Sequence, residues 1–183
     1  MPLSIPRPGA GEHAPYAITY VNATAAALAA RRSDDVIALL AAQPAEWRAL
    51  LGAVDPALAA YRYAPGKWTL AESLVHVADT ERVFAYRLLR IGRGDGTPLA
   101  GFEQDEWVPE SRANRRTLAD ILDEIDAVRA ATMALIRSFD EPAVAKSGIS
   151  SNHHVTARAL VWMLAGHMAH HLTLTREKYL AKV

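Results

Sequence analysis

Apolar side chains return every three to four positions through four long stretches of this chain, and nowhere does an apolar–polar alternation persist. The first period belongs to an amphipathic helix, whereas alternation would mark a half-buried strand. Val36, Ile37, Leu40, Trp47, Leu50 and Leu51 form the first stripe, behind a Ser33 cap and the first-turn acids Asp34 and Asp35. They predict a helix over 33–52, kinked or divided at Pro44. Thr69 and Glu72 form a capping box ahead of Leu70, Leu74, Val77, Phe84, Leu88 and Ile91, which predicts a helix over 69–91 stopped by Gly92. Leu118, Ile121, Leu122, Ile125, Val128, Leu135 and Ile136 predict a third over 117–138, before Pro142. A fourth is predicted over 156–180, behind a Thr156 cap. With a short alanine-rich leading helix between Pro15 and Ala30, the pattern predicts an all-α fold, a four-helix bundle.

The polar intervals are uneven. AVDPALAAYRYAPGK, with Pro56 and the Pro65-Gly66 pair, reads as a connection between the first two long helices. GRGDGTPLAGFEQDEWVPESRANRR, between the second and third, far exceeds the ~2–8 residues usual between bundle helices. It predicts either a lid or a long crossover joining two helices that run in the same direction. The proline-rich start predicts a flexible tail over 1–13, followed by one bundle domain over 14–183.

Composition narrows the function. The chain is 51% hydrophobic and 22% charged, ordinary for a soluble globular domain. Lysine plus arginine equals aspartate plus glutamate at 20 each, so no net field favours nucleic acid or an anionic membrane. Arg112, Arg115 and Arg116 read as a solvated face. Neither a secretory signal nor a membrane-spanning run is visible, which predicts a cytoplasmic protein, and the RGD triplet is then a coincidence. Cysteine is absent, so a metal would have to be held by histidine or oxygen.

Histidine is where the helical pattern carries chemistry. His167 and His171, four apart in GHMAHHLTLTREKYL, stack on one helix face, and that face is the apolar stripe Leu160, Met163, Leu164 and Leu174. A single core histidine is usually a satisfied packing residue. Two on one face have chelating spacing, and imidazole suits zinc, nickel, copper and iron. A third ligand must come from another helix, and His76 in SLVHVADTER is the candidate. His170 is rotated roughly 60° from His167 on an ideal helix, which puts it beside the site or at the surface. His153 and His154 read as exposed loop residues. Asp79 lies about a turn from His76. Glu81 and Arg129 fall on the apolar stripes of their helices, where they form either a buried pair tying two helices together or an acid and a guanidinium fork that holds an anionic substrate. Trp68, Trp162 and Tyr86 read as packing, and Trp107 as a wall of the pocket, with the glycine-rich connection closing over the site through Trp107 or Phe102.

PGKWTLAESLVHVADTERVFAYRLLRIGRGD, LAGFEQDEW and ALVWMLAGHMAHHLTLTREKYL together resemble the DinB and YfiT-like family of four-helix metalloproteins, from about Ser33 to the C-terminus. The resemblance implies one divalent metal ion, of the zinc, nickel or iron kind, held by His76, His167 and His171. It also implies a small-molecule substrate, in some relatives a low-molecular-weight thiol such as bacillithiol or mycothiol, and a homodimer. Many relatives read GHE where this chain has Gly166, His167 and Met168, so any role of that glutamate is empty here or filled by another residue. Two readings stand side by side: a metal-dependent hydrolase or thiol S-transferase, and a non-catalytic metal-binding or stress-induced interaction bundle.

Overall fold

The computed structural model describes residues 3–181. Four long helices, α2 (Val36–Leu51), α3 (Leu70–Gly92), α5 (Leu118–Arg137) and α7 (Ala157–Leu174), form the bundle. Helix α1 (Ile18–Ala30) leans on α7, the short α4 (Gln104–Glu110) lies in the long connection, and α6 (Glu141–Ala145) follows α5. Local caps begin the long helices: Asp35, rather than the expected Ser33, caps α2 by accepting from Ile37 and Ala38, Thr69 pairs reciprocally with Glu72, and Thr117 and Thr156 accept from Asp120 and Ala159.

Helix α2 packs on α5 and α7, and α3 packs on the same two, so consecutive helices α2 and α3 sit diagonally. Contacts fix the directions. Asn114, just ahead of α5, meets Glu72 at the start of α3, Arg129 meets Glu81 at mid-helix, and Arg93 meets Ser138 at the far ends. Helices α3 and α5 therefore run parallel, and the 93–117 connection is a crossover that returns the chain to the bundle's starting end.

Pro44 does not divide the helix, because α2 is continuous across it. A proline at 44 removes the N–H that would bond to the carbonyl of Leu40. Arg129 Nη1 donates to that carbonyl instead, at 2.7 Å. A side chain from α5 thus repairs the helix in α2.

The all-helical expectation misses one element. Strands β1 (Ser147–Ser150) and β2 (His153–Thr156) form an antiparallel hairpin whose two-residue turn, Ser151 and Asn152, has φ of 50° and 64°. Positive φ at both turn residues matches the twist of a hairpin. Leu99 bonds on either side of Ser150 at the end of β1, to Ile149 O at 2.9 Å and from Ser151 N at 3.0 Å, which pins the crossover to the hairpin. The fourth helix is shorter than expected, passing after Leu174 into a wider turn over Thr175–Tyr179. Of the stretch read as a tail, residues 3–13 run against α7: Ile5 is buried, its carbonyl accepts from Trp162 Nε1 at 2.9 Å, and Glu12 pairs with Arg158 at 2.6 Å.

Apolar residues form two cores, one around Leu40, Leu88, Ile136 and Leu160, the other around Trp47, Leu74, Ile121 and Leu172. Between them runs a buried polar layer containing Gln43, His76, Thr80, Glu81, Arg129, His167 and His171. Gly166 lets α1 reach that layer, since a Cβ there would fall 1.8 Å from the carbonyl oxygen of Tyr20.

Candidate metal centre

His76 on α3 and His167 and His171 on α7 converge in the polar layer, with one ligand nitrogen from each lying within 4.8 Å of the others. His76 Nε2 is 3.1 Å from His167 Nε2. His171 Nδ1 lies 3.3 Å from Ser73 Oγ and His76 Nδ1 3.4 Å from Thr80 Oγ1. A tautomer that donates from Nδ1 to its hydroxyl leaves Nε2 with a free lone pair. Aromatic rings hold the imidazoles in place: Trp68 lies against His76 at 4.7 Å between centroids, and Tyr20 meets His167 edge-on at 5.2 Å.

Burial sets the protonation state. It lowers the His76 pKa from 6.5 to about 4, with the nearby Asp105 carboxylate opposing the shift. His167 and His171 are held well below the ordinary histidine value by burial first, and then by neighbouring imidazoles. All three are neutral at pH 7, the form that ligates metal. Two imidazole nitrogens bound to one tetrahedral zinc ion at ~2.0–2.1 Å would lie roughly 3.3 Å apart. The observed His76–His167 separation is close to that edge, so this pair suits a shared ion, with His171 near enough to be a third donor.

The histidines form one wall of a 480 Å³ cavity whose other sides come from Tyr16, Tyr20, Trp68, Phe84, Arg87 and Phe102. The remaining sequence candidates fall elsewhere. Asp79 turns outward, within 3.2 Å of Arg82, and burial raises its pKa. Glu81 and Arg129 form a fully buried bidentate pair at 2.7 and 2.8 Å. Arg129 also donates to Gln43 Oε1, so this pair ties α2, α3 and α5 together and takes no part in the cavity wall. Met168, where many relatives carry glutamate, places its sulfur 3.4 Å from Arg129 Nη2, on the side of the ion pair. His170 is half-buried beside Tyr20 and outside the cluster. Trp107 is 43% exposed and stacks on the outer side of Phe102, at 5.0 Å. Phe102 rather than Trp107 reaches the cavity, because α4 turns the tryptophan outward.

Sequence reading passed over Tyr20, Phe84 and Arg87 as cavity residues. Thr80, Phe84 and Arg87 follow His76 by four, eight and eleven positions, which places all four on one face of α3. That spacing was a usable signal.

The fold and site together define a class: a four-helix bundle with a crossover between its second and third long helices and a buried histidine cluster opening on a cavity. The chain belongs to the DinB superfamily, whose family model matches residues 38–174. Its structure is similar to YfiT from Bacillus subtilis, a probable metal-dependent hydrolase with an unusual four-helix bundle topology, at TM-score 0.70 and 16% identity over 77% of this chain and 84% of that one. It is also similar to a mycothiol-dependent maleylpyruvate isomerase, at TM-score 0.63 and 17% identity, covering 75% of this chain and 58% of the isomerase. At these identities the likeness is one of fold. A comparison with curated proteins finds no match.

Proposed function

We propose that this chain is a metal-dependent enzyme acting on a small molecule, with His76, His167 and His171 holding one divalent ion. The observation that carries the reading is the convergence of three buried, neutral imidazoles on the wall of an open cavity. A structural metal site closes its coordination with four protein ligands, whereas three with an open position suit catalysis. When bound, the ion supplies Lewis acidity, lowering the pKa of a coordinated water or thiol.

The chain's own residues do the rest. Ser73 and Thr80 orient His171 and His76, and Trp68, Phe84 and Phe102 keep an apolar boundary around the reacting group. Tyr20 is a phenol whose pKa burial raises above its usual 10, so it stays an O–H donor at the cavity wall. Among the described residues the cavity's only acid is Glu103, which is exposed. Asp105, near enough to act on His76, is exposed as well, and among the described residues neither acid hydrogen-bonds a histidine, so no carboxylate base is held in place at the site. An external thiol, which a metal deprotonates without a base, suits the site better, and the fold it shares with a mycothiol-dependent isomerase supports the same direction.

Metal analysis of untagged protein comes first. Zinc-, nickel- and iron-loaded samples are then assayed with electrophiles plus low-molecular-weight thiols, and with activated esters plus water. Turnover that requires metal and thiol supports transfer; turnover with water alone shifts the reading to a hydrolase. Stoichiometric metal without any turnover leaves the non-catalytic metal-binding bundle.

A further inference from the structure

Two arginines are buried in this bundle, and their surroundings differ. Arg129, 2% exposed, has a bidentate carboxylate and two further acceptors. Arg87, 3% exposed, has no carboxylate within ion-pair distance among the described residues. Its only hydrogen bonds leave from Nη2, to Ala100 O at 2.8 Å and Ser151 Oγ at 3.0 Å. Among the described residues Nε and Nη1 meet no protein acceptor, and the residue lines the cavity that holds the histidines.

A buried guanidinium cannot neutralise itself by losing its proton, because its pKa stays far above neutrality. Burial does depress the Arg87 pKa, with no acid opposing it and only the Tyr16 phenol acting the other way. A guanidinium with so little exposure and no counter-ion, facing a cavity, is placed to pair with an anion that enters it. The crossover carbonyl and the hairpin serine hold the side chain in place. Phe84 and Phe102 lie near the guanidinium, with Cζ 5.9 and 5.6 Å from their ring centroids. The guanidinium edge is therefore fixed before any ligand binds.

We propose that Arg87 docks a carboxylate of the substrate, so that the substrate class is a small apolar or aromatic carboxylic acid. This deepens the proposed function and rests on its reading of the cavity as the reaction site. A planar fork with free donors matches a carboxylate edge-on. Among the described residues no second lysine or arginine lines the cavity, so the chain's own side chains offer a fork for one carboxylate. Tyr20, Trp68, Phe84 and Phe102 provide the apolar walls for the body of the acid. Phe84 borders both Arg87 and the His167 ring, at 6.0 Å from the latter, so one small molecule spans from the anchor to the histidines.

The test uses benzoate and its neutral isostere benzamide, titrated into chelator-treated wild-type protein. Tryptophan fluorescence, to which Trp68 on the cavity wall contributes, reads affinity, and the ¹⁵N resonance of the Arg87 side chain, assigned by its loss in Arg87→Lys, reads location. The expected result is saturable benzoate binding that shifts the Arg87 resonance, at least tenfold weaker benzamide binding, and at least tenfold loss of benzoate affinity in Arg87→Met. Equal affinity for the two ligands, a silent Arg87 resonance, or unchanged benzoate binding in a folded Arg87→Met overturns the proposal. If Arg87→Met does not fold, the wild-type resonance decides alone. Inorganic phosphate that displaces benzoate at lower concentration overturns the carboxylate assignment. Metal content of the untreated protein separates the two readings. Intact metal binding without a benzoate response removes this inference only, and a benzoate response without metal binding removes the proposed function only.

Discussion

His76 Nε2 faces His167 Nε2 across the interface between α3 and α7 at 3.1 Å, with both rings buried. Two neutral imidazoles in this relation share one proton or point two lone pairs at a common centre. If the centre is a divalent ion, alanine at His76, His167 or His171 lowers metal affinity by more than the ~10–100-fold typical of losing an outer-shell partner. Alanine at His170 or His153 leaves it within a few-fold. Competition with a chromophoric chelator measures this, and full metal occupancy in any of the three variants would remove the site.

The buried histidines make the metal-free protein acid-sensitive. Their folded pKa values lie below the unfolded value of 6.5, so the unfolded chain takes up protons that the folded chain refuses. Stability from this source is complete above about pH 6.5 and falls as pH drops toward about 4, the His76 value. The slope is about 1.4 kcal/mol per pH unit for each such histidine. Urea unfolding at pH 7, 5.5 and 4.5 should show the decline, shallower in His76→Ala. A flat profile over that window would mean that the three sites are not neutral in the folded chain.

Arg129 is expected to matter for stability and not for ligand binding. Arg129→Met leaves Glu81 buried without its partner and should destabilise by about 3–5 kcal/mol. Part of that loss is the Leu40 carbonyl, which Pro44 cannot serve. Pro44→Ala restores the helical donor, so the loss in the double variant should be smaller by about 1 kcal/mol than in Arg129→Met on its own. Strict additivity of the two substitutions in chemical denaturation would show that the repair is not energetically coupled.

Gly166→Ala tests the close approach of α1. The added Cβ would sit 1.8 Å from backbone of Tyr20, which cannot rotate away, so α1 must shift. A loss of about 1–3 kcal/mol is expected, the range of overpacked cores. Because Tyr20 walls the cavity, ligand affinity should fall alongside the melting temperature. An unchanged melting temperature would contradict the packing.

The sequence alone determined what depends on neighbours along the chain. The caps at Thr69 and Thr156 and the three-to-four period of apolar residues mark the long helices, because helix formation is settled within a turn or two, although the first cap falls at Asp35 and not at Ser33. The same period puts His167 and His171 on one face, and the length of the 93–117 segment calls for a lid or a crossover, between which the contacts of α3 with α5 decide. Tertiary structure decided which faces meet. Residue spacing does not encode the rotation of α3 against α7 that brings His76 to the pair, since rotation follows from the burial of many side chains and from the room made at Gly166. Nor does it distinguish Arg129 from Arg87: both are arginines on an apolar stripe, and only packing shows that Glu81 faces one and an open cavity the other. The hairpin at 147–156 escaped for a related reason, because its strands are too short to show a period and gain support from Leu99, which lies far away in the chain.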